Sequence, residues 1–173
     1  MKAIVDFAYL RGIRVIPEFD MPGHSTGMCD ALKGIGIVCC SGKWGMGQIG
    51  DDPEGNSTRI VGALLAEMAA IFPDAVLNIG SDECAYGTTG ACTLNATKSF
   101  EQKMIQKVIS LGKQPMGWQE ILLETGAAAT FPQVIVDTWH GGNTWAGVAG
   151  TGHQAVVSDP ASLYLDGRSN SIF

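Results

Sequence analysis

At 173 residues, with 46% hydrophobic and 16% charged residues, the chain is long enough to bury a core and has the composition of one globular domain. A formal net charge of −6, a pI of about 4.9 and the lack of any basic run argue against nucleic acid or an anionic membrane as a partner. No apolar stretch approaches the roughly 18 residues of a membrane span, and the first ten residues show no signal peptide pattern.

Helical and strand patterns alternate from end to end. Residues 2–11 carry Ile4, Val5, Phe7, Ala8 and Leu10 in a helix-like arrangement, and Gly12 supplies a left-handed stop. Ile13 to Phe19 then reads as a strand. A long glycine-rich passage follows, in which Gly45-Met46-Gly47-Gln48-Ile49-Gly50 matches a dinucleotide-binding fingerprint letter by letter. That match is rejected, because no strand precedes it and Asp51-Asp52-Pro53 stands where a helix must begin. Ile60, Val61, Leu64, Leu65, Met68, Ala69 and Phe72 fall on one helical face, with Ser57 or Thr58 placed as its cap. Ala75 to Ile79 is apolar apart from Asn78, as a strand buried on both faces requires. Phe100, Met104, Ile105, Val108, Ile109 and Leu111 mark a second amphipathic helix, opened by a Ser99-x-x-Gln102 capping box and closed by Gly112. Short strands are expected at Pro115–Trp118, Val134–Thr138 and Gln154–Ser158, with room for a helix between each pair.

Strands separated by helices argue for an α/β fold with a parallel sheet, either an open doubly wound sheet or a (β/α)8 barrel. The polar residues favour the barrel. Glu18, Asp20, Asp82, Glu83, Trp118, Glu120, Trp139, His140, Ser158 and Asp159 all fall at the C-terminal ends of strands, and in a barrel those ends converge on one pocket. A whole barrel takes about 250 residues, so a partial one is expected.

Three constellations carry chemistry. Pro17-Glu18-Phe19-Asp20-Met21-Pro22-Gly23-His24 runs a strand into a tight turn holding a carboxylate and an imidazole, although Asp20 could equally serve as a local cap. Leu77-Asn78-Ile79-Gly80-Ser81-Asp82-Glu83 ends a buried strand on two adjacent acids. Burial and a like-charged neighbour raise a carboxyl pKa, which makes a general acid usable near neutral pH. Retaining glycosidases with an enzyme nucleophile place their two carboxyls about 5 Å apart on opposite sides of the sugar. Neighbours in one turn suit a division of labour better: Glu83 as proton donor, Asp82 as orienter of a substrate group. Finally, Trp118 and Trp139 end successive strands and Tyr164 follows, flat rings suited to stacking on sugar faces as well as to core packing.

Taken together these segments resemble glycoside hydrolase family 20. Arg11-Gly12-Ile13-Arg14-Val15-Ile16-Pro17-Glu18-Phe19-Asp20-Met21-Pro22-Gly23-His24 looks like the family's third strand, Ile79-Gly80-Ser81-Asp82-Glu83 like its GGDE signature, and Gly117-Trp118-Gln119-Glu120 like its W-Q-E. Val136-Asp137-Thr138-Trp139 is similar to its sixth strand, and Ser158 through Tyr164-Leu165-Asp166 to the element after its seventh. Ser81 departs from the signature's second glycine, and Asn78 stands where many members have histidine.

The resemblance implies a β-N-acetylhexosaminidase that removes terminal GlcNAc or GalNAc from glycans, using the substrate's own acetamido group as nucleophile and no metal or cofactor. Residues 1–173 would be part of one catalytic (β/α)8 TIM barrel, roughly strands three to seven, lacking the first two and the last. Glu83 would be the general acid and base, Asp82 would hold the acetamido N–H, Tyr164 would donate to its carbonyl, and His24 would belong to a relay tuning Glu83. Trp118 and Trp139 would wall the pocket, and Asp166 would bind sugar hydroxyls. The alternative is a truncated barrel without activity that binds sugar weakly. A lysosomal or secreted location is also implied, in keeping with glycosylation sequons at Asn56 and Asn95. Five cysteines without C-x-x-C spacing fit buried thiols or one disulfide, and the resemblance points to a Cys39–Cys92 pair. An exposed sheet edge invites pairing with a second copy, so a homodimer is an expectation.

Overall fold

The computed structural model describes residues 1–164, and its first helix, α1 (Lys2–Tyr9), buries Val5 and Ala8 against the body of the chain. Gly12 adopts φ +68 as expected and turns the chain into an extended edge. Asn78 N–H donates to the Pro17 carbonyl at 3.0 Å, and Phe19 N–H donates to the Asn78 carbonyl at 3.0 Å. This parallel pairing with β3 (Val76–Asn78) is a single bridge at Glu18 and Asn78, shorter than the Ile13–Phe19 strand expected. The reason is local: Pro17 has no N–H to give, Arg14 is drawn off to Asp74 at 2.7 Å, and Ile13 and Ile16 are left exposed.

Helix α2 (Thr26–Leu32) leads into an antiparallel hairpin of β1 (Cys39–Ser41) and β2 (Gly47–Ile49), with Cys39 opposite Ile49. The hairpin occupies the glycine-rich passage, so the middle of the Gly45–Gly50 run is strand β2 and not a phosphate loop. Disulfides join Cys29 to Cys39 and Cys40 to Cys92, leaving Cys84 as a buried thiol. This corrects the Cys39–Cys92 pairing. Successive side chains of a strand point to opposite faces, so Cys39 meets α2 while Cys40 meets Cys92.

Helix α3 (Asn56–Ile71) starts earlier than its apolar face and is capped by neither Ser57 nor Thr58. The Asp52 carboxylate accepts from Asn56 N–H at 2.9 Å and Ser57 N–H at 2.8 Å, and the Ser57 hydroxyl accepts instead from Val38 N–H at 3.0 Å. Helix α4 (Leu94–Ser110) also starts early, with the Thr93 hydroxyl accepting from Ala96 N–H. Its buried face begins at Thr97 and runs through Phe100, Glu101, Met104, Ile105 and Val108, so Ser99 lies inside the helix and opens no capping box. Gly112, at φ +73, ends it as expected.

Next come β4 (Gln114–Trp118), α5 (Glu120–Leu123), β5 (Ile135–Thr138), α6 (Thr144–Gly150), β6 (Gln154–Val157) and α7 (Pro160–Leu163). Strands β3 to β6 form a parallel sheet in sequential order, with Met116 opposite Ile135 and Thr138 opposite Val157. An unreversed order means that every crossover turns the same way, as in singly wound α/β folds. Among the described residues the sheet does not close into a barrel. The core lies between the sheet and helices α3 and α4, where Val61, Leu65, Leu77, Ile79, Phe100, Ile105 and Val136 are all but inaccessible. At that depth, truncating Phe100 to Ala costs about 3–5 kcal/mol.

Candidate active site

Strand β3 delivers the chain to a turn that side chains alone do not shape. The Asn78 amide oxygen accepts from Gly80 N–H at 3.0 Å, and Gly80 takes φ +72. A Cβ there would lie 2.0 Å from Asp20 Oδ1, so only glycine lets the turn press on Asp20. Ser81 and Glu83 follow at φ +88 and +53, left-handed conformations that each cost about 1–3 kcal/mol for a residue with a side chain. From the other side, a Cβ on Gly23 would meet the Asp82 carbonyl at 2.9 Å. The Pro22-Gly23-His24 turn and the Asp82-Glu83 turn are thus in direct contact.

This contact sets His24 against both acids. Its Nε2 lies 3.1 Å from Glu83 Oε2 and 3.3 Å from Asp82 Oδ2. Asp20 lies beside them, and burial, followed by the charge of Asp82 and a hydrogen bond with it, pushes its carboxyl up to about 9. Neither Asp20 Oδ1 nor Asp82 Oδ1 has a hydrogen-bond partner otherwise. A proton held between the two acids answers both observations. Asp20, which the sequence also allowed as a plain cap, is thus a buried acid of the site whose carboxyl pKa is raised.

Among the described residues, Asp20, His24 and Asp82 offer ligand atoms within 4.8 Å of one another and are the group that could hold a metal. The same groups serve as hydrogen-bond partners, with His24 between Glu83 and Asp82 and Asp20 against Asp82.

The two indoles are each fixed by a carboxylate. Trp118 Nε1 donates to Glu18 Oε1 at 2.9 Å, and Trp139 Nε1 donates to both oxygens of Glu120, at 3.1 and 3.2 Å. Glu120 is 1% exposed, and burial raises its carboxyl pKa against the opposing hydrogen bonds. His140 Nε2 reaches the same carboxylate at 3.3 Å and packs edge-on against Trp139. The Gln119 side-chain oxygen accepts from the backbone N–H groups of Trp139 and His140, each at 3.0 Å. Gln119 and Glu120 are thus what aims Trp139. Their position after a Trp at a strand end was visible, but the bond from Gln119 to the next strand's end was not.

Asp82, Glu83, Trp118, Trp139 and Tyr164 together line a cavity of about 180 Å3. This lies below the roughly 300–1,000 Å3 of drug-sized ligand sites and suits a single ring. A larger hollow of about 560 Å3 between α3 and α4 is an open groove along lysine stems, with no acid or aromatic converging on it. Ser158 and Asp159 stand apart from the cavity lining: Asp159 spends its carboxylate capping α7, accepting from Ala161 N–H at 2.9 Å. Asp166 lies outside the described residues. No helix among them is long and apolar enough to cross a membrane.

Comparison with known proteins gives this geometry its context. The sequence profile described as glycosyl hydrolase family 20, catalytic domain, matches residues 1–172. The mouse protein named beta-hexosaminidase subunit beta is 29% identical over 186 residues, covering 96% of this chain and 34% of its own length. The beta-hexosaminidase of Porphyromonas gingivalis is 30% identical over 189 residues, covering 96% of this chain and 23% of its own. A crystal structure of the Vibrio harveyi family 20 exo β-N-acetylglucosaminidase in complex with N-acetylglucosamine superposes with a TM-score of 0.78 at 23% identity, over 95% of this chain and 28% of that one. At that identity the superposition speaks for the fold alone. The chain spans about a quarter to a third of the length of these relatives.

Proposed function

The chain belongs to glycosyl hydrolase family 20, and on that premise we propose that it hydrolyses terminal β-linked N-acetylhexosamine, GlcNAc or GalNAc, from glycans by a substrate-assisted retaining mechanism. One observation carries the reading: Asp82, Glu83, Trp118, Trp139 and Tyr164 surround one cavity of single-ring size. Residues 1–173 would correspond to strands three to seven of a (β/α)8 barrel, a reading supported by the unreversed parallel sheet.

Glu83 gives its proton to the glycosidic oxygen as the bond to the leaving group breaks. The acetamido carbonyl oxygen forms the new bond to the anomeric carbon, closing an oxazolinium ring. The Asp82 carboxylate accepts the acetamido N–H and balances the charge that grows there, while the Tyr164 hydroxyl donates to the carbonyl oxygen and holds it in line. Water then attacks the same carbon, Glu83 takes its proton, and the ring opens to the product with retained configuration. His24, between the two acids, steadies Glu83 through both roles. Trp118 and Trp139 stack on the ring and exclude water, and Asp166 binds hydroxyls. Adjacent acids favour this route, because neither can reach the opposite sugar face as a nucleophile.

Fluorinating the acetamido methyl weakens the internal nucleophile without changing the leaving group. Turnover of an aryl N-acetylglucosaminide should fall steeply with each fluorine added. A trifluoroacetamido substrate cleaved as fast as the parent contradicts the mechanism.

The second reading, sugar binding without turnover, draws on the sheet being open at both edges among the described residues. N-acetylglucosamine binding without any hydrolysis would select it. The two disulfides suit an oxidising compartment, so a lysosomal or secreted site is proposed. The exposed edge at Ile13 and Ile16 supports a homodimer, which light scattering would measure.

A further inference from the structure

The one acid on α4 takes no part in the mechanism above. Glu101 is 1% exposed and sits directly behind the turn that carries Asp82 and Glu83. One of its oxygens accepts from the Ser81 hydroxyl, and the other accepts from the Thr125 hydroxyl at 2.5 Å. Ser81 is the residue before Asp82 and holds φ +88, a conformation that a serine keeps only when its surroundings impose it. Thr125 closes the segment after β4 that presents Trp118, Gln119 and Glu120, and its hydroxyl also accepts from Ala127 N–H at 3.3 Å. One carboxylate therefore bridges the turn bearing the two acids and the segment that follows Trp118 and aims Trp139.

Resting on the hydrolase reading of Asp82 and Glu83, we propose that Glu101 is a positioning residue for this site. Through Ser81 it holds the turn in the left-handed form that brings both carboxylates to His24, and through Thr125 it keeps the indole-bearing segment in register with that turn. Glycine adopts this φ freely, so a serine there needs an anchor, and Glu101 supplies it. Ser81 and Glu101 thus work as a matched pair.

The test uses the full chain with Glu101→Ala, Glu101→Gln and Ser81→Ala. Glutamine keeps an oxygen and the side-chain shape for the two hydroxyls, whereas alanine keeps neither. Displacing a reacting group by about 1 Å costs on the order of 100-fold, so Glu101→Ala and Ser81→Ala should lower kcat by about 10-fold to 100-fold. The loss should fall on kcat more than on KM. Glu101→Gln should restore kcat to nearly the wild-type value, and combining the two alanine changes should cost little more than either alone. The His24 imidazole NMR signals report the turn without any need for turnover, and should move in both alanine variants but not in Glu101→Gln. If Glu101→Ala does not fold, Ser81→Ala, which leaves the helix intact, gives the same readouts. Unmoved His24 signals and unchanged kcat in Ser81→Ala overturn the positioning role. Wild-type protein without turnover, with His24 signals that move as described, contradicts the hydrolase reading and leaves the positioning role standing.

Discussion

Replacing Gly80 with alanine tests how the acid-bearing turn is built. The added Cβ would lie 2.0 Å from Asp20 Oδ1 and 2.7 Å from Asp20 Cα and Cγ. Backbone is among those neighbours, so no side-chain rotation relieves the clash. Two costs combine: about 1–2 kcal/mol for a Cβ in the left-handed region and about 1–3 kcal/mol for overpacking. Gly90→Ala isolates the first, since Gly90 has φ +83 and nothing within 4 Å of the added atom. Urea unfolding should show a loss of about 2–5 kcal/mol for Gly80→Ala and only about 1–2 kcal/mol for Gly90→Ala. Displacing the turn by about 1 Å should also lower kcat/KM on the order of 100-fold in Gly80→Ala, with Gly90→Ala unaffected. Equal stability losses in the two variants would refute the claim that the turn presses directly on Asp20.

The two disulfides should differ in worth, because the stabilisation from a crosslink grows with the loop it closes. Cys40 and Cys92 are 52 residues apart and Cys29 and Cys39 only 10, so loop entropy assigns about 4 kcal/mol to the first and about 3 to the second. Removing each pair as Cys→Ala and comparing urea midpoints checks that order. Two buried acids should give opposite pH dependences. At Asp52, burial opposes the charge, but the hydrogen bonds led by Ser57 hold the carboxyl below its usual 3.8. Its contribution is therefore present above about pH 4 and is lost as the pH falls through the lowered native value, and Asp52→Ala should cost about 1 kcal/mol only above that range. At Glu101, burial raises the carboxyl from 4.5 to about 7, with Glu124 and Glu120 adding to the rise. Stability is full below pH 4.5 and falls as the pH climbs through about 7, so melting curves of Glu101→Gln should lie flatter than wild type across that interval.

The elements legible in the sequence were those with strong periodicity or a required backbone. Gly12 and Gly112 stop helices where their left-handed geometry is needed, and the apolar Ala75–Ile79 run is a buried strand. Less legible was whatever depended on distant partners. The cap of α3 is Asp52, four residues before the helix, because the helix begins ahead of its apolar face. The β1–β2 hairpin hid in a glycine-rich stretch, and strand alternation, not sequence proximity, sent Cys40 to Cys92. The candidate residues stood out as acids and aromatics at or beyond strand ends, and five of them line one cavity. What the local pattern could not disclose was Asp82 helping burial to raise the Asp20 carboxyl pKa, Gln119 reaching the next strand end, or Glu101 bracing Ser81. Each joins groups at least 20 residues apart.

The central claim is that Glu83 delivers the proton to the departing glycosidic oxygen. Its most direct test is the hydrolysis rate of Glu83→Gln on two N-acetylglucosaminides, one with a sugar as leaving group and one with a strongly acidic phenol. Losing a general acid removes about 100-fold to 10,000-fold, and the loss should fall mainly on the sugar, which cannot depart as an anion. A sugar-linked substrate cleaved by Glu83→Gln at the wild-type rate would contradict the account.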